Sequence, residues 1–131
     1  MQFAFLPTLR AKLALNSGKS AEAIESLKSA LPYELGTGGV YPTYVRGEAF
    51  LAAHQGREAA LEFQKILDHH GLLLNDIIGA LSHLQIGHAY ALEGESAKAK
   101  AAYQDFLTLW KDADPDVPIL KQAKTEYAKL P

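Results

Sequence analysis

Residues 80–111 read Ala80-Leu81-Ser82-His83-Leu84-Gln85-Ile86-Gly87-His88-Ala89-Tyr90-Ala91-Leu92-Glu93-Gly94-Glu95-Ser96-Ala97-Lys98-Ala99-Lys100-Ala101-Ala102-Tyr103-Gln104-Asp105-Phe106-Leu107-Thr108-Leu109-Trp110-Lys111. Two helix-length segments meet at Gly94. In the first, Gly87 lies three residues before Tyr90; in the second, Ala99 lies four before Tyr103. Small residues at Gly87 and Ala99 would let two helix backbones approach closely. Tyr90 and Tyr103 would fill the space around that contact.

The same frame recurs along the chain. Gly47 and Ala59 are 12 residues apart, as are Gly87 and Ala99, and Ala11 and Ala23. A large residue follows each alanine by four: Leu27, Phe63 and Tyr103. Ala23, Ala59 and Ala99 therefore mark a unit repeating at spacings of 36 and 40.

Between these marks the pattern is helical. Phe3, Leu6, Leu9 and Leu13 form one stripe, and Pro7 falls in the first turn of that helix. Ser20 offers an N-cap for the second helix, which runs to Leu31 before Pro32. The glycine-rich segment Pro32–Val40 reads as a loop. Helices follow over about 42–54 and 57–69. His70-Gly71-Leu72-Leu73-Leu74 is apolar enough to tuck between helices, and Asn75 or Asp76 caps the next helix. After the prolines Pro115 and Pro118, a last helix carries Ile119, Leu120, Ala123, Tyr127 and Leu130 on one side. Lys121, Gln122, Lys124 and Lys129 face away, as a closing helix requires. No segment alternates with period two, so no sheet is expected.

The frame resembles the tetratricopeptide repeat, a helix–turn–helix unit of about 34 residues. His83 stands where that family usually has Trp, and Phe106 where it has a small residue. The resemblance implies an all-α helical-hairpin solenoid in one domain, residues 1–131. Its hairpins would span about 3–31, 41–69 and 76–111, with a capping helix at about 117–130, about seven helices in all. The extra residues of each repeat fall in the loops at Pro32–Val40 and Gly71–Asn75, where insertions belong. The strings Pro32-Tyr33-Glu34-Leu35-Gly36, Tyr44-Val45-Arg46-Gly47-Glu48-Ala49 and Phe63-Gln64-Lys65-Ile66-Leu67-Asp68-His69, with Tyr103 through Leu130, go further. They resemble the C-terminal repeat segment of large bacterial signalling proteins, in which a Ser/Thr kinase or winged-helix DNA-binding domain comes first. That resemblance implies that the chain is the carboxy-terminal part of such a protein. Neither effector domain is written here, for there is no Gly-rich loop, His-Arg-Asp string or Asp-Phe-Gly.

Composition narrows the function. A net charge of −2 gives no basic surplus for nucleic acid, and there is no cysteine for disulfides or thiolate chemistry. The first residues lack a basic signal-peptide start, and no apolar run approaches the roughly 20 residues of a membrane span. A cytoplasmic protein without membrane attachment is expected. The histidines His54, His69, His70, His83 and His88 do not have the spacing of a metal site. Glu93 and Glu95, and Asp112, Asp114 and Asp116, stand beside helix ends, where capping explains them. The aspartate group also lacks the Gly and Glu of a calcium loop. No enzyme, cofactor or metal is expected. Trp110 reads as packed under the last helix, against Ile119 or Leu120.

What remains is binding. The repeat resemblance puts the first helix of each pair on a concave side. That side would carry Phe5, Thr8, Lys12 and Leu15; then Tyr41, Tyr44, Glu48 and Leu51; then Leu81, Leu84, His88 and Leu92. The expected function is a non-catalytic protein–protein interaction scaffold holding a peptide or partner domain in this groove. Lys12, Tyr41, Tyr44, Glu48, Leu81, Leu84 and His88 are its candidate contacts, and Tyr41 and Tyr44 its aromatic anchors. The alternative is a structural spacer or self-association module without a peptide ligand. The first helix is apolar on more than one side, with Phe3 and Leu6 on the stripe and Phe5 and Leu15 off it. A further repeat is expected to stack there, or a second copy to associate through it.

Overall fold

The structure is a computed structural model. It describes residues 2–28, 41–68, 77–113 and 116–131, and the side chains of these except 2–6, 41 and 77. The described residues form seven α-helices and no strand. They are α1 (Gln2–Asn16), α2 (Ser20–Ser26), α3 (Tyr41–Ala52), α4 (Gly56–Leu67), α5 (Ile77–Leu92), α6 (Ser96–Leu109) and α7 (Pro118–Lys129). No helix among the described residues is long and apolar enough to cross a membrane.

Three turns join these helices in pairs, and they share one geometry. Gly18, His54 and Gly94 have φ of 76°, 61° and 77°. The next residues, Lys19, Gln55 and Glu95, have φ of −104°, −106° and −91° with ψ of 68°, 72° and 69°. The hydrogen bonds match as well. The N–H of Lys19 donates to the carbonyl of Ala14, that of Gln55 to Phe50 and that of Glu95 to Tyr90, each at 2.8 Å. Ala23, Ala59 and Ala99 then donate to the carbonyls of Lys19, Gln55 and Glu95 at 2.9–3.0 Å. The turn therefore recurs at spacings of 36 and 40, the same as the alanine frame. A residue at position 9 corresponds to 45 and 85, and one at 12 to 48 and 88.

Within each pair, a small residue on the first helix receives a large one from the second. A Cβ added to Gly47 would lie 2.5 Å from Phe63 Cζ, and one added to Gly87 would lie 2.9 Å from Tyr103 Cδ2. Ala11 and Leu27, at the corresponding positions of the first pair, are both fully buried. Tyr103 fills the space at Gly87, as the spacing suggests; Tyr90 lies to one side, half-buried under the Lys98 ammonium.

Between pairs, each core cluster joins one hairpin to the helix that follows it. Ala11, Ala14, Ala23 and Leu27 pack with Val45 and Ala49 of α3. Tyr44, Phe63 and Ile66 pack with Ile86 and Ala89 of α5. Leu84, Tyr103 and Phe106 pack with Leu120 and Ala123 of α7. Burying Phe63 or Phe106 completely contributes about 1.5–3 kcal/mol. A buried arginine links the first junction to an ion pair within the second hairpin. Arg46 Nη1 donates to Glu62 Oε2 at 3.3 Å, and Arg46 Nη2 donates to the Leu27 carbonyl at 3.1 Å, where α2 ends.

Several local expectations need correction. Leu9 and Leu13 are 46% and 59% exposed, so the buried face of α1 is Pro7, Thr8, Ala11 and Ala14 instead. The small residues win because they permit close approach to α2 and α3. Pro7 lies inside α1, beyond its first turn. Ser20 is the first residue of α2 rather than its cap; Lys19 holds that position without a side-chain bond. Glu95 likewise makes no capping bond and pairs with Lys98 at 3.3 Å. Helices α2, α3, α4 and α6 end before the expected residues, at Ser26, Ala52, Leu67 and Leu109.

Pro118 opens α7 as expected, with Leu120 and Ala123 buried and Lys121, Gln122, Lys124 and Lys129 exposed. Trp110 is half-buried in the cluster that contains Leu120, its ring 5.0 Å from that of Phe106. The loop Pro32–Val40, the segment from His69 to Asp76 with its leucines and caps, and Asp114-Pro115 lie outside the described residues. So do the side chains of Phe3, Phe5, Leu6 and Tyr41.

Candidate functional site

The corresponding positions on α1, α3 and α5 are Lys12, Glu48 and His88, and Glu126 of α7 lies against the last of them. The structure joins them across helices. Lys12 Nζ donates to Glu48 Oε1 at 3.0 Å, and His88 Nε2 lies 2.9 Å from Glu126 Oε1. A carboxylate only accepts, so that ring nitrogen carries the proton. The four side chains are between 23% and 38% exposed, within reach of a bound molecule yet held in place.

Around His88 the bonds continue. Its Nδ1 lies 2.8 Å from the Gln85 amide oxygen, and Gln85 Nε2 donates to the Tyr44 hydroxyl at 3.2 Å. Glu126 also accepts from the Tyr103 hydroxyl at 3.3 Å and from Gln122 Nε2 at 3.4 Å. The His88 and Tyr103 rings meet edge to face at 5.8 Å. The Tyr103 hydroxyl is held well above the ordinary tyrosine range, first by burial and then by the Glu126 charge and its hydrogen bond. One carboxylate thus ties α7 to both α5 and α6.

One turn earlier the side chains are core. Thr8, Tyr44 and Leu84 occupy corresponding positions and are 3%, 7% and 3% exposed. Tyr44 packs its ring edge to face on Phe63 at 5.5 Å, so it is not an accessible anchor. Leu84 belongs to the cluster under α7 and likewise presents nothing to a partner. Both are buried because the helix that follows in each case covers them. Leu81 is half-buried between two clusters. Of the expected contacts, the structure brings Lys12 and Glu48 together directly and ties His88 to α7, while Tyr41's side chain lies outside the described residues.

Gln85 and Glu126 are the members of this site that the sequence reading misses. Gln85 falls at the register of the fully buried Val45, so the alanine frame reads it as core. Glu126 could not be placed, because the break before α7 shifts its register. Arg46 and Glu62 are missed for another reason, namely that a charged pair reads as surface.

A cleft of about 410 Å³ lies elsewhere, between α4 and the α5–α6 turn, lined by Arg57, Leu61, Tyr90, Glu93 and Lys98 among others. Among the described residues no group of three or more His, Cys, Asp or Glu is placed to hold a metal ion. His83 faces Asp105 at 3.8 Å. No protein-family model matches the chain, and no curated protein matches it.

Proposed function

We propose that this chain is a non-catalytic interaction scaffold of the tetratricopeptide type, working in the cytoplasm. In this reading the three hairpins stack as a helical-hairpin solenoid closed by α7. The side carrying α1, α3, α5 and α7 is the concave groove for an extended peptide or a partner domain. The recurrence of one turn geometry at three places supports the architecture, since a repeated unit stacks on itself in one way.

The observation that carries the binding role is the half-exposed row Lys12, Glu48, His88 and Glu126. Partly exposed ion pairs are worth only about 0–1 kcal/mol. A partner whose charges replace Lys12–Glu48 therefore gives up little. With Tyr44 and Leu84 in the core, recognition rests on this polar row and on the half-buried Leu15 and Leu51 beside it. The same pairing favours a second reading, a spacer whose inner side satisfies itself. A charge swap separates the two. Lys12→Glu with Glu48→Lys keeps the internal pair but reverses the order that a partner would read. Once a partner is captured from cells and purified, titration should show at least a ten-fold loss of affinity with an unchanged melting midpoint. A partner that binds the swapped chain equally well would overturn the recognition role of this row, and failure to capture any partner would favour the spacer.

A further inference from the structure

We propose that the outer face of α1, formed by Leu9, Arg10 and Leu13, is a docking surface for one further helical hairpin, seated on α1 as α1 and α2 sit on α3. The shared turn geometry puts these residues at the register of Val45, Arg46 and Ala49 in α3, and of Gln85, Ile86 and Ala89 in α5. In α3 that register is covered. Val45 and Ala49 are fully buried against Ala14, Ala23 and Leu27 of the hairpin before them, and Arg46 reaches the carbonyl that ends α2. In α5 it is covered again, with Ile86 and Ala89 buried against α3 and α4. On α1 the same positions are open: Leu9 is 46% and Leu13 59% exposed, and Arg10 is exposed.

The molecule therefore displays twice what covers this register, namely both helices of a neighbouring hairpin. The required chemistry follows from the residues. Leu13 stands where α3 and α5 carry alanine, so the occupant must offer glycine or alanine opposite it. Arg10 calls for a helix end whose last carbonyls are open, as Leu27 supplies for Arg46. Among the described residues, a second copy of this chain has no such face to give. Its three hairpin faces are taken by α3, α5 and α7, and the outer side of α7 is lined by Lys121, Lys124 and Lys129.

The absence of cysteine makes the test direct. Leu13→Cys is introduced into the full chain and into a longer chain in which residues 1–40 are duplicated ahead of Met1, the added α1–α2 hairpin serving as the probe. In the longer chain only the inner copy carries the cysteine. Its reaction with a small thiol reagent should slow at least ten-fold there, while a Lys124→Cys control reacts at the same rate in both chains. Without any substitution, hydrogen exchange at the inner α1 amides should slow to a similar degree. Equal labelling and exchange in the two chains would overturn the assignment. So would a dimer of the original chain in sedimentation that Leu13→Glu dissociates, since the face would then take a second copy.

Discussion

His54 adopts the left-handed conformation that Gly18 and Gly94 adopt at the other two turns. A side chain in that region costs about 1–2 kcal/mol, because Cβ crowds the following carbonyl. Glycine avoids the crowding but loses more freedom on folding. His54→Gly should therefore stabilise by up to about 1 kcal/mol, and Gly94→Ala should destabilise by about 1 kcal/mol. Urea midpoints check both, and a midpoint for His54→Gly well below that of the parent chain would sink the argument. The break at 54 was legible from Gln55-Gly56, but its geometry was not, since histidine announces no positive φ. The glycine and alanine frame was legible because close approach leaves few residue types able to fill it. The face of α1 was not. With leucines at 9 and 13 and alanines at 11 and 14, both sides are apolar, and periodicity alone does not choose between them. Packing chose the alanines.

At the scale of elements, the second and third hairpins solve one position in two ways. Arg46 and Glu62 of α3 and α4 correspond to Ile86 and Ala102 of α5 and α6, and all four are buried. Breaking a buried pair leaves an uncompensated charge, whereas replacing both members with apolar residues is often neutral. Glu62 keeps its 3.1 Å bond to the half-exposed Lys65, so Arg46→Ile alone should cost about 3 kcal/mol, the low end for a broken buried pair. Adding Glu62→Ala should recover more than half of that loss, since the third hairpin already packs this combination. A double-mutant cycle in urea measures the coupling, and a double variant as unstable as the single one would show that the pair is indispensable. Helix existence and order were legible throughout, because each segment has a clear period and a breaker after it. The ion pair was not, because nothing in a helical pattern distinguishes a buried arginine from one on the surface.

Across the whole molecule, α5, α6 and α7 share one carboxylate, Glu126, and this makes stability depend on pH in a defined direction. The row Lys12, Glu48 and His88 was legible from the repeat register, and Glu126 was not, so this coupling emerges only when α7 is in place. Burial and Glu126 raise the Tyr103 hydroxyl above its ordinary range. Above pH about 10 the tyrosine of an unfolded chain loses its proton. Folded Tyr103 keeps it, so the folded state then binds more protons than the unfolded one. Stability from this group is fully present below that pH and falls as pH rises, with a limiting slope of about 1.4 kcal/mol per pH unit. Lysines also lose charge in this range and weaken surface pairs, but they do so equally in a chain without the hydroxyl. Tyr103→Phe should lower stability at neutral pH by about 1 kcal/mol, for the lost hydrogen bond to Glu126. It should also make the urea midpoint fall less steeply between about pH 9.5 and 11. The two curves should therefore converge as the solution becomes alkaline, and parallel curves would show that Tyr103 does not carry the alkaline loss.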